Sequence, residues 1–171
     1  MTSWGASDSH SSVPLARARK LDLLLVPGAA RLAPMLTGHC LCGQITYQAD
    51  AEPALVANCH CTDCRRQTAS AFSTVVGVPA PSFTVTGGEL AEFITTGTDH
   101  GQPTQRKFCG SCGTPIVSVS SAMPDLVFIK AGSLDDPTVV EPQLEVWTES
   151  ALQQWAIGEG SGKPAFARGP G

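Results

Sequence analysis

No stretch of this sequence approaches the roughly 20 consecutive apolar residues that a membrane-spanning helix requires. The longest apolar run near the N-terminus, Leu23 to Val26, is too short even for the roughly 7–15-residue core of a secretory signal. An excess of basic charge is lacking too: 11 Lys and Arg stand against 15 Asp and Glu, for a formal charge of −4. The balance is uneven. Arg17, Arg19, Lys20 and Arg31 against Asp8 and Asp22 leave residues 1–36 at +2, and the remainder carries −6. So acidic a body has no electrostatic footprint for nucleic acid or for an anionic membrane surface. No repeat of roughly 20–50 residues is visible, which excludes a solenoid or propeller array. An even complement of cysteines is missing as well, since a disulfide framework built from seven leaves one over. Without a signal, the expected location is the cytoplasm, where thiols stay reduced. Metal ligation is the better reading of the cysteines.

What is present describes an ordinary globular chain. Its 171 residues, 42% hydrophobic and 15% charged, suffice for one domain with a core and an appendage. Residues 1–36 are rich in Ser, Ala, Pro and Arg without a sustained amphipathic period, and are read as a flexible extension. Their arginines and serines permit an organelle-targeting role, against which Asp8 and Asp22 argue. The simpler expectation is that translation starts at Met35. A domain is expected over 37–157, and the Gly/Pro-rich residues 158–171 are expected to form a loosely held tail.

Within that domain, short apolar or alternating segments recur between turn residues. They are Gln44–Tyr47, Leu55–Asn58, Ser73–Val78, Phe83–Thr86, Ala91–Thr95, Arg106–Phe108, Ile116–Val119 and Leu126–Lys130. Their length and β-branched content predict an all-β fold of antiparallel sheets. Gly87-Gly88, the region Asp99–Gly101 and Asp135-Asp136-Pro137 are the turn signals. One short helical turn is expected around Cys64 to Gln67, with Thr62 or Asp63 as its N-cap.

The cysteines fall in three clusters: Cys40 and Cys42; Cys59, Cys61 and Cys64; Cys109 and Cys112. Zinc takes four ligands in a structural site, and three plus an open position in a catalytic one. Cys109-Gly110-Ser111-Cys112-Gly113 has the form of a zinc knuckle, which supplies two ligands and needs two more. Cys40 and Cys42 can provide them, while the central trio can hold a metal by itself. The seven then divide as four plus three, with two zinc ions per chain. An open site could take water or an added thiolate, and Arg65 and Arg66 could offset the extra negative charge, though either could equally belong to a solvated face.

Gly38-His39-Cys40-Leu41-Cys42-Gly43, the run Cys59 to Arg66, and the run Lys107 to Pro115 resemble the glutathione-dependent formaldehyde-activating enzyme family, also called the CENP-V/GFA domain. Met123 to Leu126, Lys130 to Pro137 and the Trp147 and Trp155 region add to the likeness, which covers about residues 38 to 170. The resemblance implies an Mss4-like β-tent with two zinc sites. It makes Cys40, Cys42, Cys109 and Cys112 the structural ligands, and Cys59, Cys61 and Cys64 the ligands of a catalytic-type zinc. It further implies a carbon–sulfur lyase that forms S-(hydroxymethyl)glutathione from formaldehyde and glutathione. Two other roles are compatible with the same features: a glutathione carrier without catalysis, and a structural zinc module for protein interaction. The chain departs from the pattern at Ala69, where the family usually has glycine. If that position needs a positive φ, alanine costs about 1 kcal/mol there.

Other candidates have plainer readings. His39 and His60 neighbour cysteines, yet adjacent strand residues point to opposite faces, so both are expected to support or pack rather than ligate. His100 is expected in a solvated turn. Trp147 and Trp155 could wall a ligand pocket but are expected to close the core; Asp125 and Lys130 could meet glutathione's charged termini but are expected to be exposed charges at strand ends.

Overall fold

A computed structural model describes residues 35–155, so most of the expected N-terminal extension and all of the expected C-terminal tail lie outside the described residues. The short β-branched segments become strands: β1 (Met35–His39), β2 (Thr46–Asp50), β3 (Leu55–Cys59), β4 (Ser73–Pro79), β5 (Phe83–Gly87), β6 (Leu90–Thr95), β7 (Thr104–Cys109), β8 (Pro115–Ser120), β9 (Leu126–Lys130) and β10 (Leu144–Val146). Among the described residues one α-helix, α1 (Thr62–Thr68), joins them. The all-β class holds. Among the described residues the strands form a three-stranded sheet, β1-β2-β5, and a seven-stranded sheet, β10-β3-β4-β9-β8-β7-β6.

One pairing departs from the expected antiparallel pattern. β10 runs parallel to β3, with Leu144 opposite Ala57 and Val146 opposite Cys59. Side chains hold it there: Asn58 Nδ2 donates to Glu145 Oε1 at 2.8 Å, and His60 Nε2 meets Glu145 Oε2 at 2.5 Å.

Alternation along each strand gives the large sheet two distinct faces. Val56, Val76, Val78, Val117 and Ile129 join Leu36, Tyr47 and Ala49 of the small sheet in the main core. Tyr47 is capped by Ser133, its hydroxyl 2.7 Å from Ser133 Oγ, which satisfies a buried phenol. Gly38 permits that approach, since a Cβ there would lie 2.2 Å from the Tyr47 oxygen. Ala57, Val75 and Phe128 form a second cluster, with Leu55, Leu126 and Val146 packed against it.

Two tight turns carry cysteines. In the β1–β2 connection the Cys40 carbonyl accepts from Gly43 N–H at 2.9 Å, and Cys40 N–H donates to Ile45. In the β7–β8 connection the Cys109 carbonyl accepts from Gly113 N–H at 2.9 Å, and Cys109 N–H donates to Thr114. Gly43 (φ 76°) and Gly113 (φ 75°) both take the left-handed conformation these turns require.

Candidate functional site

The two turns bring four sulfurs together. Cys40, Cys42, Cys109 and Cys112 have their Sγ atoms within 4.8 Å of one another. The Cys40–Cys42 and Cys42–Cys109 separations are 3.4 and 3.7 Å. A tetrahedral zinc with bonds of ~2.3 Å sets its sulfurs about 3.8 Å apart, so this donor set fits that ion in both chemistry and spacing. Thr114, which the sequence did not single out, ties the turns together. Its Oγ1 accepts from Leu41 N–H at 3.1 Å and lies 3.1 Å from Cys112 Sγ. Hydrogen bonds from the Thr114 hydroxyl and N–H bring the Cys112 thiol down to about 5. Gln44 N–H favours the Cys42 thiolate, but Cys40, burial and the other two thiols outweigh it and push Cys42 up to about 12.

The central trio forms a second cluster. Cys59 ends β3, Cys61 caps α1 and Cys64 sits in its first turn, and their three Sγ atoms also lie within 4.8 Å of one another. All three are buried. All seven cysteines are free thiols, and each expected set meets in space. Among the described residues no histidine joins either cluster: His39 Nδ1 meets Asp135 at 2.5 Å, and His60 turns to Glu145.

The helix cap differs from expectation. Cys61, rather than Thr62 or Asp63, occupies the N-cap, its Sγ accepting from Cys64 N–H at 3.4 Å. Thr62 and Asp63 are drawn instead to the turn between β6 and β7. Thr62 donates to Asp99, and Asp63 accepts from the Thr98 hydroxyl at 2.6 Å and N–H at 3.2 Å.

The positive charges that act on Cys64 come from Lys130 and Arg106. Arg66 is exposed and Arg65 half-buried. The counter-charges are Arg106 and Lys130, each only 4% exposed. Arg106 Nη1 donates to Cys64 Sγ at 3.6 Å and to Ser118 Oγ at 3.3 Å; its Nε donates to Thr95 Oγ1 at 3.3 Å, and Nη2 stands 3.7 Å from Asp63. Lys130 Nζ donates to Ser73 Oγ at 3.3 Å, so the expected strand-end charge is in fact internal. Strand parity explains it, because Lys130 shares a face with Phe128. Burial pushes the Lys130 ammonium down, with Arg106 acting in the same direction and the nearby thiols opposing. Bonds from Cys59 and Cys61, then the charges of Lys130 and Arg106, hold Cys64 well below the usual thiol range against its burial. Cys59 is raised correspondingly, by Cys61 and Cys64 and then by burial.

The trio faces a cavity of about 430 Å³, lined also by Arg106, Lys130, Phe128, Val146 and Trp147. Trp147 does not close the core as expected. It is 44% exposed, adopts φ 61° and ψ 41°, and sets its ring 5.5 Å from that of His100, which is half-buried rather than solvated. Trp155 is exposed and shares a smaller pocket, of about 250 Å³, with His60 and Phe72. Asp125 is exposed, as expected. A further cavity of about 520 Å³ lies across Arg106 and contains no cysteine.

Comparisons with known proteins agree with this picture. The sequence profile of the glutathione-dependent formaldehyde-activating enzyme matches residues 35–150. No curated protein matches. The crystal structure of a Rhodobacter sphaeroides protein is similar in fold, with a TM-score of 0.50 at 19% identity, over 64% of this chain and 98% of that one.

Proposed function

The chain belongs to the glutathione-dependent formaldehyde-activating enzyme family, and on that footing we propose that it is a zinc-dependent thiol–aldehyde adduct enzyme, a carbon–sulfur lyase in class. Cys59, Cys61 and Cys64 would hold the zinc at which the thiol is handled; Cys40, Cys42, Cys109 and Cys112 would hold a structural zinc. Glutathione is the thiol expected from the family, and a reducing compartment such as the cytoplasm suits seven free thiols.

The observation that carries the reading is a trio of buried thiols facing a cavity, with two buried cations beside them. Zinc, when bound there, supplies Lewis acidity that keeps a thiol deprotonated at neutral pH. The chain's own residues do the rest. Three thiolates around a divalent ion leave one negative charge, and a substrate thiolate makes two. Arg106 and Lys130 offset that charge where water cannot, although Asp63 takes part of the Arg106 charge. The Thr95 and Ser118 hydroxyls fix the guanidinium against Cys64. In the reaction the sulfur bonds to the carbonyl carbon, and the carbonyl oxygen takes up the proton that the thiol gave up. The reverse step is the lyase direction.

The test is adduct formation from glutathione and an aldehyde, with and without the zinc-loaded protein. Acceleration above the spontaneous rate, lost in Cys61→Ser, is the expected result. Saturable glutathione binding in a calorimeter without acceleration selects a carrier, and absence of both sinks the reading.

A further inference from the structure

The second face of the large sheet has an unusual composition for a formaldehyde site. Alternate residues of four strands, among them Leu55, Ala57, Val75, Phe128, Leu144 and Val146, line the 430 Å³ cavity. Ala57, Val75 and Phe128 are buried at its base, whereas Leu144, Met123 and Trp147 stand half-exposed at its mouth. A water takes about 30 Å³ of liquid volume, so formaldehyde, with two non-hydrogen atoms, would occupy on the order of 60 Å³ of that space. The remainder would be water held against apolar walls. Glutathione does not answer to these walls either. It carries two carboxylates and an ammonium, and the basic side chains lining the cavity are Arg106, Lys130 and the half-buried His100, the first two buried beside the thiols. Burying an unmatched charge is unfavourable, so glutathione fits by its sulfur end, with its termini outside.

Trp147 adds an independent observation. A bulky residue at φ 61° is a backbone outlier of the kind that costs about 1–3 kcal/mol and persists where its side chain is used. Glycine would take that conformation without strain. What glycine lacks is the indole, which lines the cavity mouth against His100.

We propose that the carbonyl partner of this enzyme is an aldehyde with an apolar body of about four to eight carbons, seated between Phe128 and Trp147 with its carbonyl end toward Cys59, Cys61 and Cys64. The aldehyde's identity rests on the adduct-forming reading; the apolar class rests on the cavity itself. The thiol sulfur bonds to the carbonyl carbon, the oxygen gains the thiol's proton, and the product is a hemithioacetal with no change of oxidation state.

The experiment uses the zinc-loaded full chain in two arms. In the first, calorimetry measures binding of propanamide, butanamide, pentanamide and hexanamide, which keep the carbonyl but do not react with thiols. Affinity is expected to rise roughly fourfold per methylene, the factor for burying one CH₂. Trp147→Gly should weaken hexanamide binding about tenfold while its Tm stays level or rises, and Leu144→Asp should weaken it similarly. Val139→Asp, exposed and outside the cavity lining, should change nothing. The second arm compares adduct rates for formaldehyde and for the linear aldehydes at fixed glutathione. Amide binding that ignores chain length, or that Trp147→Gly leaves intact, overturns the apolar class even if formaldehyde reacts. Length-dependent binding without acceleration by any aldehyde upholds the class and overturns the reaction.

Discussion

Ala69 ends α1 in the left-handed region, at φ 51° and ψ 37°, with its N–H bonded to the Arg65 carbonyl. A Cβ is disfavoured in that conformation, and the side chain is exposed, so packing gives little in return. Ala69→Gly should therefore raise stability by about 1 kcal/mol, seen as a higher denaturant midpoint at unchanged m-value. Arg106 is the opposite case, since every hydrogen bond of its guanidinium goes to a half-buried or buried group. Arg106→Met would leave Asp63 buried with its charge unmatched, and unfolding should be easier by about 3 kcal/mol. Arg106→Lys keeps the charge but not the fork, and should recover only part of that loss in the same denaturation assay.

At the scale of elements, the informative piece is β10. Its three residues are fastened to β3 through Glu145, which carries Leu144, Val146 and Trp147 to the cavity wall. The His60 hydrogen bond, then that of Asn58, holds the Glu145 carboxyl below the usual carboxylate range. A depressed carboxyl stabilises the fold above its unfolded pKa, about 4.3, and that contribution fades as pH falls through the lower folded value. Glu145→Gln should thus lower Tm at pH 7, with the gap to the parent closing below about pH 4. The strands with apolar alternation were legible beforehand, and Ser73–Val78 and Leu126–Lys130 were found nearly to the residue. β10 was not, because Leu-Glu-Val has no periodicity of its own and becomes a strand through its pairing with β3, to which Asn58 and His60 also bind Glu145. The cysteine sets were readable from their spacing. Arg106 and Lys130 were not, since a charge on an apolar strand looks like a solvated end until neighbouring strands fix which face is covered.

For the whole molecule, the four-thiol cluster joins a turn of the three-stranded sheet to a turn of the seven-stranded one. If it holds zinc, its loss should be costlier than loss of the central ion. Cys112→Ser is expected to lower Tm on the order of 10 °C, and Cys61→Ser by less. Elemental analysis during mild chelation should show two zinc ions per chain, with the three-thiol ion leaving first. The same clamp bears on how the chain reaches its fold. Each cysteine-bearing hairpin can form locally in microseconds, but Cys42 and Cys109 are 67 residues apart and meet only once a long loop has closed. An ion captured by one hairpin at that stage has two ligands and waits for two more. Refolding should then proceed in two phases, the slower one quickening with added zinc until supply no longer limits it.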